Sequence, residues 1–96
     1  IYIGSAKHCF KKRILRYFKN NIKIRWHIDY LITNKNFKIV SIILINDFVE
    51  CKFANYLIDK KINFIKNFGS SDCNCLSHLF YFSSFKKIIE LFENFF

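Results

Sequence analysis

Ninety-six residues set the scale of one small domain, with room for one core and one site. Hydrophobic residues make up 52% of the chain and aromatic residues 20%, including 13 Phe, which excludes wholesale disorder; no Pro and two Gly argue against a linker, a collagen-like repeat or a many-turned sandwich. The net charge of +9 is unevenly spread: residues 1–38 hold ten Lys and Arg and one acid, residues 39–96 six of each, so the positive field belongs to the first part of the chain and suits a polyanion such as DNA, RNA or an anionic membrane surface, against the plainer reading of lysine enrichment from codon bias.

Ile1-Tyr2-Ile3-Gly4 reads as a strand, with no Met, charged leader or cleavage-type segment ahead of it, and so as a domain missing its natural start. From about Ala6 to Lys19 the spacing predicts an amphipathic basic helix, with Phe10, Ile14 and Phe18 on one face and Lys12, Arg16 and Lys19 opposite. Arg13 and Tyr17, four apart, share its edge, and Asn20-Asn21 is the stop. Residues 26–31 alternate loosely enough to fit either a strand or a short helix. The β-branched run Phe37 to Ile45 predicts a buried strand; its uncharged core, Ile39 to Ile45, is far short of the ~20 residues that span a bilayer, so no membrane partner is expected. Asp47, with Glu50 three residues on, opens a helix to about Lys60 whose inward face is Phe53, Ala54, Leu57 and Ile58. Residues 61–77 read as irregular and His78 to Phe82 as a short strand. Ser83 or Ser84 caps a last helix with Phe85, Ile88, Ile89, Phe92 and Phe96 as its stripe. The sum is a single α+β domain, a small central sheet flanked by helices.

Few residues offer chemistry. Glu50 falls within the apolar stripe of its helix, about 40° from Ala54, either as a cap reaching back to Asp47 or as a carboxylate held for a divalent metal; on the residues alone the cap is favoured. Cys73, Cys75 and His78 place three soft ligands within six residues, and Cys51 joins them if its helix packs on that loop. Cys-x-Cys is not the usual Cys-x-x-Cys knuckle, so reduced thiols packing a loop are favoured over Zn²⁺. No disulfide framework is expected in a chain without secretory features, and a cytoplasmic setting follows. Cys9 reads as an ordinary buried thiol. His27 and Asp29 share a face if their segment is extended. Lys7, Lys11, Lys12, Arg16, Lys19, Lys23 and Arg25 are candidates for contacts to a nucleic-acid backbone, against the plainer reading of a solvated lysine-rich surface.

Tyr2-Ile3-Gly4-Ser5-Ala6, Arg13 and Tyr17 on a basic helix, and Glu50-Cys51 opening a later one together resemble the GIY-YIG nuclease superfamily. Trp26 to Leu31, Phe68-Gly69-Ser70-Ser71-Asp72-Cys73 and Ser77 to Tyr81 are similar to its Uri-type endonuclease subgroup. The resemblance implies a metal-dependent endonuclease that hydrolyses DNA, or RNA, phosphodiesters with Mg²⁺ or Mn²⁺. It implies Glu50 as the metal ligand, Arg13 on the scissile phosphate, Tyr2 as the half-motif tyrosine, and Tyr17, four after Arg13, as the catalytic residue at the position where relatives place Tyr or His. His27, Asp29, Asp72, Cys73 and His78 would line the cleft. The first half-motif is absent, which implies an N-terminally truncated domain lacking its first strand, and Arg25 stands where the subgroup often has His. The reading from a different class is a non-catalytic nucleic-acid-binding module with a structural metal or thiol loop. Oligomeric state is left open.

Overall fold

The apolar spacings that predict helices produce them, at shorter lengths. The computed structural model describes residues 1–6 and 9–96, and four α-helices form in the order α1 (Phe10–Tyr17), α2 (His27–Ile32), α3 (Glu50–Asp59) and α4 (Phe85–Phe95). The chain divides into two units, one of Ile1–Gly4 with Val49–Phe96, the other of Ser5–Phe48. The expected first turn of α1 falls partly on residues 7 and 8, outside the described residues, and α2 settles the ambiguous segment as helix.

In the first unit, Phe53, Ala54 and Leu57 recur at helical spacing and turn one face of α3 inward. They form the core with Phe80 and Leu91, which α4 supplies. Leu57 and Ala54 are fully buried. Phe53 meets the rings of Phe92 and Phe95 with centroids 5.9 and 5.1 Å apart. Packing of this kind adds roughly 0.5–1.5 kcal/mol per aromatic pair beyond the area buried. On α4 the buried position is Leu91 rather than Phe85, which is exposed. Glu50 opens α3 at its first helical position. Asp47 accepts from the neighbouring Phe48 N–H at 2.7 Å instead of capping the helix.

The α+β expectation is overturned: among the described residues there is no β-strand. Two isolated antiparallel bridges, Tyr2 to Leu79 and Phe64 to Phe80, stand in its place. Residues 77–81 run between residues 1–3 and 63–68. Ile3 N–H donates to the His78 carbonyl at 2.9 Å and Phe80 N–H to that of Ile1 at 2.8 Å. On the other side, Ile65 N–H donates to the Leu79 carbonyl and Tyr81 N–H to that of Asn63. Lys61, Asn67 and Gly69 adopt positive φ, which turns the backbone out of the extended region on either side of residues 62–66.

The predicted strand Phe37 to Ile45 is likewise corrected. Its residues form no strand, and Val40 and Leu44 are 78% and 55% exposed. A β-branched run becomes a strand only when a neighbour accepts its backbone donors, and no described segment pairs with it.

The second unit has a polar centre. Among its described residues Ile28 and Asp29 are the buried ones, both on α2, whereas α1 buries none and leaves Phe10, Leu15 and Phe18 exposed.

Candidate functional site

Two side-chain groups stand out, one in each unit. In the first unit, the start of α3 carries Cys51 to the loop that holds Cys73 and Cys75, and His78 follows on the central extended segment. The ligand atoms of these four side chains all lie within 4.8 Å of one another. His78 Nε2 is 3.4 Å from Cys73 Sγ and 3.9 Å from Cys51 Sγ. The three thiols are half-buried and His78 is 4% exposed.

The histidine ring is oriented by its other nitrogen. Nδ1 lies 2.9 Å from the Ile3 carbonyl oxygen, which can only accept, so the ring proton is assigned to Nδ1 and the Nε2 lone pair faces the sulfurs. Ser77, fully buried beside it, is satisfied by donating to the Ile65 carbonyl while accepting from Leu79 N–H at 3.0 Å. Burial raises the Cys51 thiol pKa and, reinforced by the adjoining Cys51 and Cys73 sulfurs, pushes Cys75 up to about 12. Burial thus favours the protonated thiol at Cys51 and Cys75, and a soft divalent cation would have to displace those protons to bind.

Glycine permits the packing next to this group. The Tyr2 ring lies over Gly4 and Gly69, where an added Cβ would come within 2.9 Å of Tyr2 Cε2 and Cε1 respectively. Gly69 also has φ +71°, a conformation that L side chains rarely adopt. The Phe68 ring meets Tyr2 edge-on at 6.2 Å.

In the second unit, Asp29 is the one acid of residues 1–38, and it is fully buried. Arg16 grips its carboxylate from Nη1 at 2.5 Å and Nη2 at 2.7 Å, while the backbone N–H groups of Arg25 and Trp26 donate at 2.7 and 2.8 Å. The Arg16 hydrogen bonds are the main cause that lowers the Asp29 pKa to about 2, against the opposing effect of burial. Around the Trp26 ring stand three guanidiniums: Arg13 at 4.1 Å from the centroid, Arg16 at 4.4 Å and Arg25 at 4.9 Å. Asp29 neutralises Arg16, so residues 1–38 offer no other carboxylate for Arg13 and Arg25.

The sequence candidates are thus sorted. Cys73 and His78 converge with Cys75 and with Cys51, whose approach depended on helix packing that no spacing rule could supply. Asp72 is exposed and outside the ligand set. Asp29 serves Arg16 and the start of α2, and the helix sets His27 about 200° from it, not on a shared extended face. Arg13 and Tyr17 are half-buried neighbours on α1, as their four-residue spacing predicts. Arg16 spends its donors on Asp29 and the Lys23 carbonyl. Lys11, Lys12, Lys19, Lys23 and Arg25 are exposed, as is Cys9, expected to be buried; Lys7 lies outside the described residues. Glu50 is half-buried beside Cys51. Trp26 is the residue that sequence reasoning left without a role; its signal was one indole flanked by arginines at positions 13, 16 and 25.

The class so defined is a small helical domain that carries a Cys₃His ligand set and a tryptophan-centred arginine group. The chain belongs to the family described as a domain of unknown function, DUF123, whose model matches residues 1–96. No curated protein and no solved structure matches it. The family match corrects the resemblance to the GIY-YIG superfamily and its Uri-type subgroup, since the family model that covers the whole chain is DUF123. The sheet that the resemblance implied is also absent among the described residues. Roles read from it for Tyr2, Arg13, Tyr17 and Glu50 therefore have only their surroundings to stand on.

Proposed function

We propose that this chain is a nucleic-acid-binding module that engages the phosphate backbone through its basic segment. The observation that carries the reading is the arginine group on Trp26: three guanidiniums within 4.9 Å of one indole centroid, with a single carboxylate between them. Guanidiniums held against an aromatic ring lose little further freedom when their planar donors meet a phosphate, and lysine cannot match that bidentate geometry. Exposed Lys11, Lys12, Lys19 and Lys23 extend the positive field along the same unit. Contacts of this type position a duplex or single strand without reading its sequence.

Binding to a fluorescent DNA duplex and to an RNA of equal length, titrated with salt, tests the proposal. The observed affinity should fall steeply with salt, and Arg25→Ala should lower the log–log slope by about one phosphate equivalent. An affinity indifferent to salt, or an unchanged slope in Arg25→Ala, would remove the reading. The same samples incubated with Mg²⁺ and plasmid DNA report on hydrolysis. Products that disappear in Glu50→Ala would add metal-dependent cleavage to binding.

A further inference from the structure

We infer that Cys51, Cys73, Cys75 and His78 form a closed four-ligand site for one Zn²⁺ ion, and that this ion locks residues 1–3 onto the core of their unit through His78. The site is independent of the nucleic-acid reading, since every residue in it belongs to the other unit.

Donor chemistry selects the ion. Three sulfurs and one imidazole nitrogen suit a borderline-soft cation with tetrahedral preference, whereas Mg²⁺ and Ca²⁺ require oxygen and find none in the set. Zn–S and Zn–N bonds of about 2.3 and 2.0 Å in a tetrahedron place neighbouring ligand atoms roughly 3.5–3.8 Å apart. The His78 to Cys73 and His78 to Cys51 separations of 3.4 and 3.9 Å bracket that range, and the widest spacing in the set, 4.8 Å, closes by about an ångström when an ion draws the sulfurs in. With four protein ligands present, no open position is left for water or substrate, which makes the ion structural.

The orientation of each ligand supports the assignment. The Ile3 carbonyl holds the His78 ring with Nε2 toward the sulfurs, the arrangement in which the outer nitrogen of a metal-bound histidine is fixed by an acceptor. Cys51 sits in the first turn of α3, where the helix dipole favours a thiolate. One ion would cross-link α3, the 73–75 loop and the 77–81 segment. Through the paired bonds Nδ1–H to Ile3 O and Ile3 N–H to His78 O, it would also hold the stretch that begins at Ile1.

The full chain, purified without a metal-binding tag, provides the test. Elemental analysis should find one equivalent of zinc, and Co²⁺ replacement should give tetrahedral ligand-field bands with intense thiolate-to-metal charge transfer. Loss of an outer-shell partner already weakens metal sites by about 10–100-fold, so Cys75→Ser should lower zinc affinity by more than about 100-fold, while Cys9→Ser leaves it unchanged. Chelation should reduce hydrogen-exchange protection at the Ile3 and Phe80 amides. Absence of stoichiometric zinc together with octahedral Co²⁺ spectra, or wild-type affinity in Cys75→Ser, would overturn the site. Unchanged Ile3 protection on chelation would overturn the lock. If Cys75→Ser does not fold, the Co²⁺ spectrum of the wild-type chain decides alone, because its charge-transfer bands require sulfur ligands.

Discussion

The two units of this chain are stabilised by different physics. The first, Ile1–Gly4 with Val49–Phe96, gathers Phe53, Ala54, Leu57, Phe80 and Leu91 into an apolar core, and its Cys₃His group joins Cys51 on α3 to the closely spaced Cys73, Cys75 and His78. The second, Ser5–Phe48, buries Ile28 and a charged Asp29, and organises itself around one ion pair and one indole while leaving large apolar side chains in solvent. Apolar burial is non-directional and tolerates substitutions that keep volume. A hub of charge and ring depends on single groups. The comparison teaches that a surplus of cations can organise a segment around its only acid when no apolar core is available.

The largest effect should come from hollowing the first unit. Leu57→Ala removes a fully buried side chain and should cost about 2–5 kcal/mol, read by urea denaturation with far-ultraviolet circular dichroism. Trp26, the chain's only tryptophan, reports on the second unit by fluorescence. Coincident transitions in the two signals would show that the contrast between units does not extend to their unfolding.

Next comes the ion pair. Asp29→Asn leaves the Arg16 guanidinium without its counter-charge and should cost about 2 kcal/mol, read by the Trp26 signal. Acid should act on the same bond. The folded-state pKa of Asp29, about 2, lies below the ordinary carboxylate value, so its stabilisation is complete above about pH 4 and is lost as pH falls through about 2. The contribution amounts to roughly 2 kcal/mol. Asp29→Asn should lack that acid dependence; a wild-type-like acid profile in the variant would assign the transition to other carboxylates.

The smallest expected effect is Gly69→Ala, at about 1–2 kcal/mol. It forces a side chain into positive φ and against Tyr2 and His78, whose Cβ lies 3.3 Å from the added carbon. A neutral result would mean that the Tyr2 ring shifts freely and that the packing next to the cysteines is loose.

Much of the helical content was legible in the spacing of apolar residues. The inward face of α3 follows from Phe53, Ala54 and Leu57, and α4 starts after Ser84, whose side chain makes no capping hydrogen bond. The strands were not, because Phe37 to Ile45 has the composition of a strand but a strand is a relation between two segments, and composition describes one. The ligand set was half legible: the close spacing of Cys73, Cys75 and His78 announces it, while Cys51 enters from 22 residues upstream of Cys73 only because α3 packs where it does.

The sequence by itself determined the concentration of charge in residues 1–38, the scarcity of acids there, and the helical periodicities, since these are properties of composition and local order. Tertiary structure alone decided that Asp29 would be spent on Arg16, that Arg13 and Arg16 would join Arg25 on the Trp26 ring, and that Cys51 would meet Cys73, Cys75 and His78. Each of those contacts closes a gap of ten or more residues in the chain, which only packing fixes.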